Sequence, residues 1–381
     1  MKKSTMSVHA GSRPESNQGG INSPIFTSSA IEYLGTPHIR YPRYFNTFNQ
    51  QVVADKLCAL ESAEDGMVTS SGMAAISAAT IGLLAPGDHA IVLEGVYGGT
   101  YGLVTREFDR LGIDYSFCAG TVPDLSAGLR PNTKMLFVES PTNPLLSVVD
   151  LTEVAELARE FELISVIDNT FATPILQNPL RFGFDLVVHS GTKYLGGHSD
   201  LSCGAILGST ELIGTIRAHA LMYGGNLNAQ DCALLERSLK TLALRVRQQS
   251  VNAMAVAEAL DQNEAVRRVY YPGLGSHPGH DIAVRQMSEF GGMLSFELAE
   301  DIHPTGFLSQ LKWIPCAVSL GGIETIVSQP VATSHEKVPK DERERLGIRD
   351  QLIRVSVGIE DAADIVSELR QALESSRNSQ K

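Results

Sequence analysis

The sequence is short of the features that mark several protein classes. It has one tryptophan and five cysteines in 381 residues. The cysteines, Cys58, Cys118, Cys203, Cys232 and Cys316, are odd in number, widely spaced and never paired as C-x-x-C. That excludes a disulfide framework or a zinc knuckle and fits a reducing cytoplasm. No apolar run approaches the roughly 20 residues of a membrane span. The opening MKKSTMSVHAGSRPES has two lysines but no apolar stretch behind them, so it does not read as a secretory signal. Basic residues are outnumbered, 31 Lys and Arg against 43 Asp and Glu, for a net charge of −12. This removes any general attraction to nucleic acid or anionic lipid. No G-x-G-x-x-G follows a strand-like run, so a dinucleotide-binding half is not expected.

What is present is an ordinary globular composition, 43% hydrophobic and 19% charged, in a chain long enough for two or three domains. Residues 1–45 are rich in Ser, Pro, Gly and Asn and read as an extended arm. Over 46–243, helical and strand-like segments alternate. QQVVADKLCALESA, MAAISAATIGLL and LTEVAELAREFE have helical spacing, while HAIVLEG, TKMLFVES, LISVIDNT and FDLVVHS are apolar strands. This pattern predicts an α/β domain around a mostly parallel sheet covered on both faces. Residues 244–381 read as a smaller α+β domain, with strands in GGMLSFEL and LIRVSVGIE and a closing helix in DAADIVSELRQAL. One long helical stretch, CALLERSLKTLALRVRQQSVNAMAVAEALDQ, bridges the two.

In open α/β sheets, ligands bind beyond the carboxyl ends of the strands. The candidates are therefore the polar residues directly behind the apolar runs: Glu139 and Asn143, Asp168 and Asn169, then Ser190, Thr192 and Lys193. Arg354 stands inside the strand LIRVSVG, and the turn at 70–72, ending on Gly72, opens a helix. Singly, each has a plain structural reading: a cap, a turn hydroxyl, a tight turn, an internal ion pair, a solvated lysine. Together they offer three binding chemistries. A helix N-terminus that opens on glycine holds phosphate through its amides and dipole, and nearby hydroxyls add donors. A strand-end carboxylate holds a protonated ring nitrogen, and a desolvated lysine amine condenses with an aldehyde. Phosphate, ring nitrogen and aldehyde are the three handles of pyridoxal 5′-phosphate.

DLVVHSGTKYLGGHS resembles, position for position, the cofactor-attachment pattern of the Cys/Met metabolism (trans-sulfuration) enzymes. SSGMAAIS, VYGGTY, ESPTNP, DNTFATP, LKTLALR, SLGGIET and RVSVGIE follow as family blocks in family order. The resemblance implies a fold-type I pyridoxal-phosphate enzyme: an arm, a large cofactor domain with a seven-stranded-type sheet, and a small C-terminal domain. It also implies a homotetramer, a dimer of dimers in which the neighbouring subunit completes each site. Carried over by position, Lys193 is the Schiff-base lysine and Asp168 pairs with the ring nitrogen. Gly72, Met73, Ser190 and Thr192 hold the phosphate, and Tyr97 stacks on the ring and acts as acid or base. Tyr41 and Arg43 reach the neighbouring subunit's phosphate. Arg354 grips the substrate carboxylate with Ser319 and Asn143. Two departures from the family pattern are YPRYFNTF around Tyr41 and Arg43, and Ser334 where relatives carry Thr.

The reaction expected is carbon–sulfur bond cleavage by α,γ- or α,β-elimination on methionine- or cystathionine-type amino acids. Val318 stands where cystathionine-holding relatives carry Glu, which favours an apolar substrate end. Gly99 stands where methionine γ-lyases carry Cys, which favours the alternative, a γ-replacement transferase acting on an activated homoserine. An aminotransferase on the same fold is a further alternative. His189, His198, His277 and His280 raise a metal hydrolase or a plain binding protein, but SHPGH reads as a turn and His198 as part of the glycine loop, so no metal is expected.

Overall fold

The computed structural model describes residues 1–15, 17–336 and 338–378. Seven strands form the larger sheet: β1 Asp65–Thr69, β2 His89–Leu93, β3 Asp114–Cys118, β4 Thr133–Glu139, β5 Ile164–Asp168, β6 Leu186–Ser190 and β7 Gly204–Gly208. Their order is β1-β7-β6-β5-β4-β2-β3. All neighbours run parallel except β7, which is antiparallel to both β1 and β6. The mostly parallel sheet expected from the sequence is present. Helices cover both faces, as strands apolar on both sides require. One face packs on an apolar layer that includes Ile76 and Ala79, and the other on a layer that includes Val53, Leu57 and Leu235.

A second, antiparallel sheet is formed by β8 Val266–Tyr270, β9 Met293–Leu298, β10 Ile326–Ser328 and β11 Leu352–Ser356, in the order β10-β11-β9-β8. Leu294, Phe296, Ile353 and Val355 pack against Val256, Ala257, Leu369 and Leu373 of the two flanking helices. No helix among the described residues is long and apolar enough to cross a membrane.

Two elements differ from the sequence expectation. The arm is not wholly extended, because Lys3–His9 is a helix. Its C-terminal carbonyls at Ser7 and Val8 accept from the buried Lys56 ammonium at 3.2 and 3.3 Å, and Ser12 Oγ accepts at 3.2 Å. Carbonyls at a helix end lack intrahelical donors, and a cation there supplies them. The bridging stretch is also two helices, Ala229–Leu239 and Leu242–Asp261. At the break, the Ser238 carbonyl accepts from Arg245 at 3.0 Å.

Candidate active site

Strands β4, β5 and β6 end along one edge of the sheet, on Glu139, Asp168 and Ser190. The parallel register sets Glu139 beside Asp168, and Asp168 beside Val188. Side chains alternate along a strand, so Ser190, two residues beyond Val188, faces the same way as Asp168.

The helix Gly72–Ile81 begins against this edge. A Cβ on Gly72 would lie 2.7 Å from Ser190 Cβ and 2.8 Å from its Oγ, so only glycine lets the helix start so close to the strand end. Ser71 Oγ accepts the Ala74 amide at 3.0 Å and caps the helix. The first-turn amides at Gly72 and Met73 have no intrahelical acceptor and lie at the positive end of the helix dipole. Ser190 Oγ is beside them. Thr192 lines the same space, but its hydroxyl is held at Cys203, accepting from that amide at 3.0 Å and donating to that carbonyl at 3.1 Å.

Residues 190–197 form one tight turn carrying Lys193, with Gly196 donating to the Gly191 carbonyl and Gly197 to the Lys193 carbonyl. Lys193 Nζ donates to Ser319 Oγ at 2.9 Å. Burial, and then the charge of Arg354, pull this amine down from 10.5 to about 8. Arg354 comes from β11 in the other sheet and is itself buried. Its Nη1 donates to Asn143 Oδ1 at 2.9 Å and its Nη2 to the Ser319 carbonyl at 3.0 Å. Burial lowers it to about 10, and among the described residues no carboxylate pairs with it. Ser319, which serves both cations, sits at φ +87°, a conformation rare outside glycine.

Two carboxylates face these cations across the site. Asp168 Oδ1 accepts the Thr170 amide at 3.0 Å, and Thr170 Oγ1 accepts the Ser190 amide at 2.8 Å. Glu139 accepts the Tyr97 amide at 2.8 Å and the Asn143 amide at 3.1 Å. Both carboxyls are held above their ordinary range. Burial is the main cause for each, and Asp168's charge adds to it for Glu139. The cavity, open to solvent on one side, has a volume of about 360 Å³, the size of a site for a cofactor with a small substrate.

Gly72, Met73, Tyr97, Asn143, Asp168, Ser190, Thr192, Lys193, Ser319 and Arg354, brought from across the sequence, all line this one cavity. Tyr41 and Arg43 do not. Tyr41 packs edge-on against Tyr44 at 5.4 Å, and Arg43 donates to the Leu221 carbonyl. Glu139 reads in sequence only as a strand-end acid, and its grip on two site amides depends on the fold. Thr170, Phe171, Leu320 and Thr333 also line the cavity. Thr170, Phe171 and Leu320 are signalled by their place in the blocks DNTFATP and SLGGIET, and Thr333 by its place next to Ser334. Of the histidines, His198, His277 and His280 each bond a backbone group of a nearby turn, and His189 pairs with Glu61 at 2.7 Å.

A family model for Cys/Met metabolism PLP-dependent enzymes matches residues 4–374. The chain belongs to that family. It is 40% identical over 374 residues to cystathionine beta-lyase of Lactococcus lactis subsp. cremoris (strain MG1363), covering 97% of this chain and 98% of that one. It is also 40% identical over 376 residues to cystathionine gamma-synthase of Mycobacterium tuberculosis (strain ATCC 25618 / H37Rv), covering 97% and 96%. Among solved structures, cystathionine gamma-lyase from Lactobacillus plantarum complexed with L-serine superposes with a TM-score of 0.95 at 36% identity, covering 99% of this chain and all of that one.

The residues of this Cys/Met metabolism PLP-dependent enzyme fit its cofactor. Free helix-start amides beside a hydroxyl suit a phosphate, and a partly neutral amine suits an aldehyde. Paired buried carboxyls with raised proton affinity suit a ring cation, which would relieve their mutual repulsion.

Proposed function

We propose that this chain is a pyridoxal-phosphate-dependent carbon–sulfur lyase that eliminates the sulfur substituent of a methionine- or cystathionine-type amino acid. The observation that carries this reading is the buried Arg354, paired with no carboxylate among the described residues, in the same cavity as Lys193 with its amine lowered to about 8. When bound, pyridoxal phosphate supplies an aldehyde carbon for the substrate amine and a ring that takes up an electron pair.

The chain's own residues supply the rest. The amides of Gly72 and Met73 and the hydroxyl of Ser190 would hold the phosphate, with Thr192 lining the same space. Asp168 holds the ring's N–H. Arg354, fixed by Asn143 and the Ser319 carbonyl, takes the substrate carboxylate through a paired, charge-assisted contact of about 1.5–3 kcal/mol. Lys193, with its proton affinity lowered, takes the α-proton, and for γ-elimination it carries a proton at Cβ as well. Tyr97, at the cavity mouth, protonates the departing thiolate. Positioned proton transfer of this kind is worth roughly 10²–10⁴-fold in rate.

Val318 lines the outer part of the cavity, while the carboxylates Glu139 and Asp168 are committed at its floor. This supports a substrate with an apolar distal end. A second reading, γ-replacement on an activated homoserine, is favoured by Gly99. A Cβ there would lie 2.4 Å from Tyr97 Cε1 and 2.7 Å from Met73 Sδ, so the Cys of methionine γ-lyases would displace both side chains.

Within this reading, residues 1–45, 46–243 and 244–381 are the arm, the cofactor-binding domain and the C-terminal domain. The seven-stranded sheet lies within 65–208 and the four-stranded sheet within 266–356. The enzyme acts in the cytoplasm, consistent with five unpaired cysteines. It acts as a homotetramer in which Tyr41 and Arg43 serve the neighbouring subunit's phosphate.

The test is incubation with methionine, cysteine, cystathionine and O-acyl homoserines, followed by product identification. A lyase yields keto acid and ammonia from a single substrate. A thioether formed only when a thiol and an acyl homoserine are both present would replace this reading with the second. Lys193→Ala is expected to abolish turnover and the visible absorbance of the lysine-linked cofactor, and turnover with that band intact would refute the assignment.

A further inference from the structure

Arg245 lies in the helix Leu242–Asp261 and does not line the cavity. It is almost wholly buried, with 4% of its surface exposed. A buried guanidinium is ordinarily matched by a carboxylate. Here its donors go to uncharged oxygens: Nη1 to the Tyr194 carbonyl at 2.8 Å, Nη2 to those of Leu195 at 3.4 Å and Ser238 at 3.0 Å, and Nε to Thr241 Oγ1 at 3.1 Å.

The first two of these oxygens belong to the turn that carries Lys193. That turn is closed at its near end by amides, through Lys193 N to the Ser190 carbonyl at 3.2 Å and Gly197 N to the Lys193 carbonyl at 2.7 Å. The next carbonyls, Tyr194 and Leu195, are the ones Arg245 takes. Gly197 completes the match. It sits at φ +69°, and a Cβ there would lie 1.9 Å from Arg245 Nη1 and 2.4 Å from Cζ. The guanidinium plane therefore rests on the Cα of Gly197, and no other residue fits between them. The second glycine of YLGGHS and the arginine of LKTLALR, 48 positions apart in sequence by their numbers, make one contact.

We propose that Arg245 is the positioning residue for Lys193: it locks the 190–197 turn to the start of the bridging helix, so that the lysine amine is held at Ser319 and aimed into the cavity. The inference rests on the reading of Lys193 as the working amine. A planar fork can bond two successive carbonyls at once, whereas an ammonium on a flexible stem cannot hold the same geometry.

Arg245→Lys keeps the charge and removes the fork. Three measurements test the proposal: reductive trapping of pyridoxal phosphate on Lys193 in cofactor-stripped protein, followed by mass spectrometry; kcat and KM of the holoenzyme; and the melting temperature. Loss of alignment should slow both trapping and kcat by about 10- to 100-fold while KM moves little. Gly197→Ala leaves Arg245 intact but pushes its guanidinium away and also strains the turn at φ +69°, so it should give the same pattern, and the double-variant comparison separates the shared part of the loss from the strain. The double variant should be less impaired than the product of the two single losses. Should Arg245→Lys fail to fold, Gly197→Ala carries the test. Wild-type trapping per folded molecule, with only the melting temperature lowered, would make Arg245 a core residue and overturn the proposal. Lys193→Ala separates the two levels. If that variant still turns over, the underlying reading fails. If Lys193 is essential and both other variants trap normally, only the present inference falls.

Discussion

At the scale of single residues, the site is a balance of charges that the protein alone leaves incomplete. Among the described residues, Arg354 and Lys193 bond only uncharged groups, while Asp168 and Glu139 accept backbone amides, with His189 the charge partner near Asp168. Arg354→Ala should therefore raise KM for amino-acid substrates by about 10- to 100-fold, the worth of a charge-assisted pair, while cofactor affinity changes far less. Equal losses of both in equilibrium titrations would make Arg354 structural. The same variant tests the electrostatics. In wild type the Lys193 amine loses its proton near 8, so the rate of reductive trapping should rise with pH through that value. Removing the like charge of Arg354 should move the midpoint upward, still short of 10.5 because burial, the larger cause, remains. The linkage has a definite sign. The folded amine binds its proton less tightly than the unfolded one, so its penalty on folding is full below about 8 and is relieved as pH climbs towards 10.5. An unmoved midpoint would mean that the two cations do not sense each other.

At the scale of elements, the ends of β5 and β6 are held from behind. Glu61, fully buried at the end of helix Phe48–Glu61, accepts from His189 at 2.7 Å and from Asn169 and Asn178 at 2.9 Å each. Asn169 and His189 are the sequence neighbours of Asp168 and Ser190, pointing to the opposite face. Glu61→Ala strands these donors and should cost ~3–5 kcal/mol, read as a lower urea midpoint at unchanged slope. A shift equivalent to less than about 1 kcal/mol would show the cluster to be dispensable. This cluster also marks where the sequence stops being legible. Asp168, Ser190 and Lys193 could be found because apolar runs end on them and sheet topology says what strand ends do. Glu61 could not: in CALESA it reads as an exposed helix terminus, and its partners arrive from 108 to 128 residues away. β1 and β7 escaped for a related reason. DGMVT and GAILG are short and glycine-bearing, and their glycines answer to close backbone neighbours such as Ser71 O, 2.3 Å from a Cβ placed on Gly204. At the break between the two bridging helices, Arg245 bonds the carbonyls of Ser238 and Tyr194, the second of them 51 residues away, which no local pattern connects.

At the scale of the whole molecule, the arm leaves an apolar surface uncovered. Ile21, Leu34 and Ile39 are 84, 79 and 62% exposed. The arm's root at Arg43 bonds Leu221, next to the exposed Met222 and Tyr223. Exposed large apolar side chains on the arm are what a partner subunit would cover in the proposed tetramer. If the homotetramer reading holds, light scattering should give the mass of four 41.1 kDa chains, and Leu34→Asp with Ile39→Asp should lower it along with activity. A wild-type monomer with full turnover would sink that reading and leave Tyr41 and Arg43 without a role.

Both cations of the site hang from Ser319, one by its hydroxyl at 2.9 Å and the other by its carbonyl at 3.0 Å, although one comes from the turn after β6 and the other from β11 of the smaller sheet. A single residue thus fixes where the two cations stand relative to each other. If Lys193 and Arg354 act as proposed, a change at Ser319 that alters its φ of +87° should disturb carboxylate binding and amine chemistry together, because one backbone position carries both contacts.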